Sequence, residues 1–313
     1  MKMKLVIQIP CYNEESALPI TLSQLPKTIE GIDEIHVLVI DDGSTDNTIE
    51  VARQNGINDF VILPANLGLA KAFSKGLARA LEMGADIIVN TDADNQYCAD
   101  DIEKLVKPII EARADIVIGA RPIQKIKHFS LIKKILQKAG SWVMRLVSST
   151  KIADATSGFR AFSRKAALEI NIFDNYTYTL ETIIQAKAKG LEIISVPVNV
   201  NGEGALRESR LIKNTFDYIR RSIFTMIRMF IVYRPFRFFA FIGLLFLIPG
   251  LLLGVRFLYF YFNHSGSGHL QSLILAAILT ITGVQVGLIA VLADLQSVNR
   301  KLLEDIQTRL KSK

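Results

Sequence analysis

The sequence predicts a mostly parallel α/β domain followed by an apolar helical hairpin, and three observations predict it. Short β-rich runs alternate with stretches of helical periodicity over the first 120 residues, polar clusters fall where those runs end, and two long uncharged runs lie near the C-terminus. Alternation of this kind places helices on both faces of a parallel sheet, and ligands of such sheets sit beyond the carboxyl ends of the strands.

Taken in order, the strand candidates are residues 4–9, 35–40, 60–63, 86–89 and 115–118. Between them, residues 14–28, 46–54, 68–83 and 99–112 carry apolar residues at helical spacing. Each strand candidate runs into a polar cluster: PCYNE after the first, DDGS after the second, NLG after the third and NTDADNQY after the fourth. Four such clusters at four consecutive strand ends make one crevice. In the last of them Asp92 and Asp94 are one residue apart, and on an extended backbone both would point to one side, with Gln96 following. Two carboxylates held that close repel unless a cation lies between them, and a hard divalent ion is the usual solution; the alternative is a solvated Asp-rich turn.

Past residue 120 the pattern loosens. An amphipathic helix is expected over 129–147, a helix over 180–189 and a strand over 193–196. Over 211–233 apolar and basic residues interleave without Pro or Gly, which reads as a helix lying along a bilayer surface. The uncharged runs follow: eighteen residues over 238–255 and twenty-four over 270–293. Each can cross a hydrocarbon core of ~30 Å at ~1.5 Å per residue. A short connection ending in the polar loop Asn263-His264-Ser265-Gly266-Ser267-Gly268-His269 joins them, so a membrane hairpin is expected rather than two core helices.

Basic residues orient the hairpin. Arg220, Arg221, Arg228, Arg234 and Arg237 precede it, Arg300, Lys301, Arg309, Lys311 and Lys313 follow it, and the connecting loop has none. Both ends and the globular part are therefore expected on the cytoplasmic side of a plasma membrane or inner membrane. The net charge of +7 fits a membrane surface and phosphate ligands; no DNA-reading motif or aromatic-studded basic strand points to nucleic acid. The apolar run before Pro10 is too short for a signal peptide, and Cys11 and Cys98 lack metal-ligand spacing and fit a reducing compartment. Gly283 and Gly287 are spaced as a small-xxx-small pair, compatible with homo-oligomer formation, a lipid-facing surface or an intrachain contact.

The segments IPCYNEE, VIDDGSTDNT, NLGLAKAFSKGL, NTDADNQY, GAR and DATSGFRAFSRKA resemble the ordered motifs of family 2 glycosyltransferases of the GT-A fold. Within that family the chain is most similar to polyprenyl-phosphate and dolichyl-phosphate sugar synthases that carry two C-terminal membrane helices. The resemblance spans residues 4–200 and, with the hairpin, nearly the whole chain. It implies a nucleotide-sugar donor, Mg²⁺ or Mn²⁺, a polyprenyl phosphate acceptor and inverting transfer. It further implies that Pro10, Tyr12, Glu14, Asp42 and Asp92 hold the nucleotide, and that Asp92, Asp94 and Gln96 organise the metal. At the reacting centre it implies Asp94, Asp154 and Arg160, with Asp154 acting as a base or as an orienting group, and Glu181 as a lesser candidate. Arg121, Arg207 and Arg210 are expected on the acceptor phosphate, because guanidinium groups bind phosphate through two donors. One departure is that many relatives have a lysine directly after Asn-x-Gly, whereas this chain has Leu69, with Lys71 two places on.

The expected organisation is a glycosyltransferase domain over 1–206, a juxtamembrane helical region over 207–235, two membrane helices over 236–294 and a basic tail over 295–313. A processive polysaccharide synthase is the first rival, but the chain's one tryptophan, Trp142, is not in the Gln-x-x-Arg-Trp element such enzymes use. A non-catalytic nucleotide-sugar-binding protein is the second rival, and intact Asp92, Asp94 and Arg160 count against it.

Overall fold

The computed structural model describes residues 2–122, 152–172, 178–201, 231–264 and 270–311, with positions 224, 227 and 228. The expected helix over 129–147, most of that over 211–233, and both Arg207 and Arg210 lie outside the described residues. The chain divides into two compact units, Met1–Met226 and Ile227–Lys311.

In the first unit the chain runs β1 (Lys4–Cys11), α1 (Leu18–Gln24), β2 (Glu34–Asp41), α2 (Thr48–Gln54), β3 (Asp59–Ile62), α3 (Leu69–Glu82) and β4 (Ile87–Asn90). A 3₁₀ turn at Ala99–Asp101, α4 (Ile102–Ile110), β5 (Ile116–Ala120), β6 (Arg160–Ser163), α5 (Arg164–Glu169), α6 (Thr179–Ala188) and β7 (Ile193–Pro197) complete it. The seven strands form one sheet in the order β3-β2-β1-β4-β6-β5-β7. Pairs β1–β2, β1–β4, β2–β3 and β5–β7 are parallel, and β6 runs antiparallel between β4 and β5.

Helices cover both faces, so the inner strands are buried on both sides and read as nearly unbroken apolar runs. On one face Leu5, Ile7, Ile9, Ile87 and Val89 pack with Ile102, Leu105 and Val106 of α4. On the other, α3 presses so close that a methyl group at Gly76 would lie 2.5 Å from Gln8 Oε1 and 2.9 Å from Ile40 Cδ1. Pro10 is tolerated inside β1 because even-numbered residues there face β4, as Gln8 does in accepting from Thr91, and β4 has ended at Asn90 before Pro10 is reached.

Two expectations need correction. Helix α1 begins at Leu18 rather than 14, because residues 14–17 form a turn closed on the Glu14 carbonyl and Pro19 fits only the first helical turn. It ends at Gln24 because Leu25, which precedes Pro26, is held extended. The region after residue 154 also contains a strand, β6, and a short helix, α5, that periodicity does not reveal.

The second unit is a helical hairpin of α7 (Pro235–His264) and α8 (Leu270–Lys311). Both helices are long and apolar enough to cross a membrane. Phe241, Leu245, Leu252, Val255, Leu288 and Leu292 are each at least 61% exposed, an outer surface suited to lipid. The helices meet backbone to backbone through glycine. A Cβ at Gly283 would lie 2.7 Å from Leu247 N and 2.9 Å from Gly243 O, and one at Gly243 would lie 3.3 Å from Gly287 N. The small-residue pair is thus used within the hairpin.

Candidate active site

The strand order β3-β2-β1-β4 sets four polar strand ends side by side. Hydrogen bonds then tie each following loop to its neighbour. Asn13, in a left-handed conformation (φ 53°), donates its N–H to Ser44 Oγ at 2.8 Å and accepts from Thr45 N at 2.7 Å. The Glu14 N–H donates to Thr48 Oγ1 at 2.8 Å, which fixes the Tyr12–Glu14 segment against the second loop, with both side chains half-buried. The Asp42 carboxylate joins the second loop to the third by accepting the N–H groups of Leu67 (2.8 Å) and Gly68 (2.9 Å). Burial raises the Asp42 pKa, and those two donors oppose the rise. Gly43 completes the junction: it has φ 72°, and a Cβ there would lie 2.5 Å from the Ala65 carbonyl carbon. Leu69 opens α3 and Lys71 is exposed.

The acidic pair does not sit on an extended strand. Strand β4 stops at Asn90, and Asp92 to Asn95 form a turn whose last residue is left-handed (φ 55°). The turn, rather than strand alternation, brings the two carboxylates together. Asp94 Oδ1 accepts the Gln96 N–H at 3.1 Å, whereas no described residue donates a hydrogen bond to the Asp92 carboxylate. Burial and then the Asp94 charge hold the Asp92 pKa well above the usual carboxylate range, with Glu14 adding to the rise and Arg121 opposing it. Asp94 is raised as well, chiefly by burial, with the Gln96 N–H opposing. Gly158 forms the adjacent wall, since a Cβ on it would lie 3.1 Å from Asp92 Oδ1.

Asp154 and Arg121 meet on the other side. Arg121 Nε donates to Asp154 Oδ2 at 2.7 Å and Nη2 donates to Oδ1 at 3.2 Å, while Thr156 adds its N–H (3.2 Å) and hydroxyl (3.0 Å) to Oδ1. Although burial alone would raise the Asp154 pKa, the guanidinium holds it below the usual range. Asp154 is therefore ionised and anchors Arg121.

Arg160 is placed differently from its expectation at the reacting centre. It is fully buried and donates to Ser157 O, Ala155 O, Thr179 O and Thr182 Oγ1. Burial pushes its pKa down to about 10, so it stays charged at neutral pH. Its fork joins the loop of Asp154 to the start of α6. The adjacent Tyr178 stacks on Phe73 of α3 at 3.7 Å, and Asn90 donates to both Gly158 O (2.9 Å) and Tyr178 Oη (2.9 Å). Gln8 donates in turn to Asn90 Oδ1 at 2.9 Å. Arg160 thus frames the loop from behind. Glu181, also fully buried, accepts from Gln185 at 3.2 Å and belongs to this interior.

A crevice at four strand ends, walled by an acidic turn and a held arginine, is matched by one family model, Glycosyl transferase family 2, over residues 6–171. The chain belongs to glycosyl transferase family 2. This glycosyltransferase is 32% identical over 211 residues to a UDP-N-acetylglucosamine–dolichyl-phosphate N-acetylglucosaminyltransferase of Methanococcus voltae, covering 61% of this chain and 82% of the relative. It is 29% identical over 219 residues to an undecaprenyl-phosphate mannosyltransferase of Micrococcus luteus, covering 67% and 88%. In fold it is similar to the glucosyl-3-phosphoglycerate synthase of Mycobacterium tuberculosis crystallised with Mn²⁺, UDP-glucose and phosphoglyceric acid. That likeness has a TM-score of 0.58 at 18% identity and covers 72% of this chain and 79% of the other. The glycosyltransferase domain has the GT-A fold.

Several supporting residues of this glycosyltransferase escape a sequence reading. Gln8, Asn90 and Tyr178 act through partners far away along the chain; Asn90 opens the NTDADNQY cluster, but nothing in the local sequence reveals these partners. The Gly158-Phe159 segment could have drawn attention to its own close packing, because a glycine inside an otherwise bulky run signals near approach.

Proposed function

We propose that the protein transfers a sugar from a UDP- or GDP-linked donor to a polyprenyl phosphate at the cytoplasmic face of the membrane, with inversion at the anomeric carbon and with Mg²⁺ or Mn²⁺ at the acidic turn. The observation that carries this reading is the Asp92–Asp94 pair: two adjoining carboxylates in one turn, the first with no hydrogen-bond donor among the described residues and within the field of the Arg121 guanidinium. The activities for which the two relatives are named support the lipid acceptor, and the apolar hairpin supports a membrane setting.

The donor set fits a hard divalent ion, which takes oxygen ligands. Among the described residues no group of three or more His, Cys, Asp or Glu is set for a metal, so Asp92 and Asp94 would share the ion with the diphosphate, with Gln96 beside them. When bound, such an ion neutralises charge on the leaving diphosphate. In this reading Pro10, Tyr12, Glu14 and Asp42 line the nucleoside side. Asp154 holds Arg121 beside the acidic turn, where its charge faces developing phosphate charge. A lipid monophosphate has its second pKa at ~6 by analogy with phosphorylated side chains, so it arrives mostly as a dianion. Its oxygen forms the new bond to the anomeric carbon while the bond from that carbon to the diphosphate oxygen breaks. No proton has to be removed, in keeping with an Asp154 whose oxygens are already engaged. Arg207 and Arg210 are the further charges proposed for the acceptor.

Membranes containing the protein, incubated with undecaprenyl phosphate and a panel of labelled UDP- and GDP-sugars, test the reading. Label from one donor should enter a chloroform-soluble, mild-acid-labile lipid. Label in a polymer, or donor binding without transfer, would refute it.

A further inference from the structure

The acidic turn is held from both flanks by side chains that belong to neither the nucleotide nor the acceptor contacts. On one flank Thr21, 5% exposed in α1, donates its hydroxyl to the carbonyl of Ala93, the residue between the two aspartates, at 2.8 Å. On the other flank Asn201, four residues past β7, donates its backbone N–H to Gln96 O at 3.0 Å. Its side-chain Nδ2 lies 3.0 Å from Asn95 O, 3.3 Å from Asn95 Oδ1 and 3.3 Å from Tyr97 O. A one-residue bridge between Tyr97 and Val200 brings the two segments together.

These contacts work against two adverse conditions in the turn. Asn95 adopts a left-handed backbone that costs energy for a residue with a side chain. The two carboxylates also repel each other, which favours their separation. A peptide group that both conditions push to reorient is pinned at Ala93 O by Thr21 and at Asn95 O, Gln96 O and Tyr97 O by Asn201.

We infer that Thr21 and Asn201 are positioning residues that hold the Asp92–Gln96 turn ready for a divalent cation. The inference rests on the proposed metal-dependent reading of the same turn. Partners that orient metal ligands without touching the metal are typically worth ~10–100-fold in affinity.

The test uses Mn²⁺ alone as probe, added to the purified full-length chain in detergent and followed by the loss of the free-ion electron paramagnetic resonance signal. Thr21→Val keeps the side-chain shape and removes the donor. Asn201→Asp keeps the shape and sets oxygen against three oxygens. Each should weaken Mn²⁺ binding about tenfold, whereas Thr21→Ser, which retains the hydroxyl, should bind as the wild type does. A packing role alone would leave both isosteric variants unchanged. The variants lie on different elements, so if one fails to fold the other decides. Wild-type binding with equally tight binding by Thr21→Val and Asn201→Asp overturns this inference alone, as does a Thr21→Ser variant as weak as Thr21→Val. A wild-type chain that takes up no Mn²⁺ overturns the inference together with the metal in the proposed function.

Discussion

Asp92, Asp94 and Asp154 are three carboxylates of one crevice with opposite electrostatic situations. The pKa values of Asp92 and Asp94 are raised above the unfolded value of ~3.9, so the folded chain holds these protons more tightly than the unfolded chain. Their contribution to stability is therefore fullest at low pH and is lost as pH climbs toward their raised folded values. Asp94→Asn removes one member of the pair. In EDTA at pH 7.5 it should melt roughly 2–4 °C above wild type, the gap should close toward pH 4.5, and Mn²⁺ should stabilise only the wild type. Scanning fluorimetry in detergent checks all three outcomes. Asp154 has the reverse sign: its pKa is depressed, so its stabilisation is present above ~3.9 and disappears only as pH falls through its lower folded value. Asp154→Asn leaves the Arg121 guanidinium buried without its carboxylate, a loss of about 3–5 kcal/mol for pairs of this kind. It should lower kcat/KM at least tenfold while leaving the acid limb of the pH profile at ~6, where the lipid phosphate titrates. An Asp154→Asn profile that loses this limb would make Asp154 the base. Residue type alone does not show where Arg160 sits, because its complete burial appears only when β6 is placed between β4 and β5.

At the scale of elements, the strands from β1 to β5, and β7, were legible because apolar runs between helical stretches record burial on both faces of a sheet. Strand β6 was not, since RAFS is four residues long and Arg160 at its start satisfies its charge through tertiary partners. The acidic pair was legible as a pair, but its geometry was not: a left-handed Asn95 and clamps from Thr21 and Asn201 depend on contacts 72 and 106 residues apart. The hairpin was plain in the length of its uncharged runs, while the use of its glycines required the packed helices. Gly283→Leu puts side-chain carbon within 3 Å of the Leu247 and Gly243 backbones and should part α7 from α8. Scanning fluorimetry in detergent checks this: Gly283→Leu should melt below wild type, whereas Gly254→Leu, at a position where an added Cβ meets nothing within 4 Å, should melt with it.

At the scale of the molecule, a GT-A sheet and an apolar hairpin occupy separate units of one chain, and the family model falls wholly within the first. The same division is legible in the sequence, with polar strand-end clusters confined to the first unit and the long uncharged runs to the second. In the proposed reading the acidic turn becomes competent only with a divalent cation, and the sugar then passes to an ionised lipid phosphate. The most direct measurement reconstitutes purified protein in liposomes with undecaprenyl phosphate and the active labelled donor, and follows lipid-linked sugar during EDTA treatment and Mg²⁺ or Mn²⁺ restoration. The account predicts that product formation stops with EDTA, returns with either ion, and stays absent in Asp94→Asn. Undiminished transfer in EDTA, or equal transfer to undecaprenol in place of its phosphate, would contradict it.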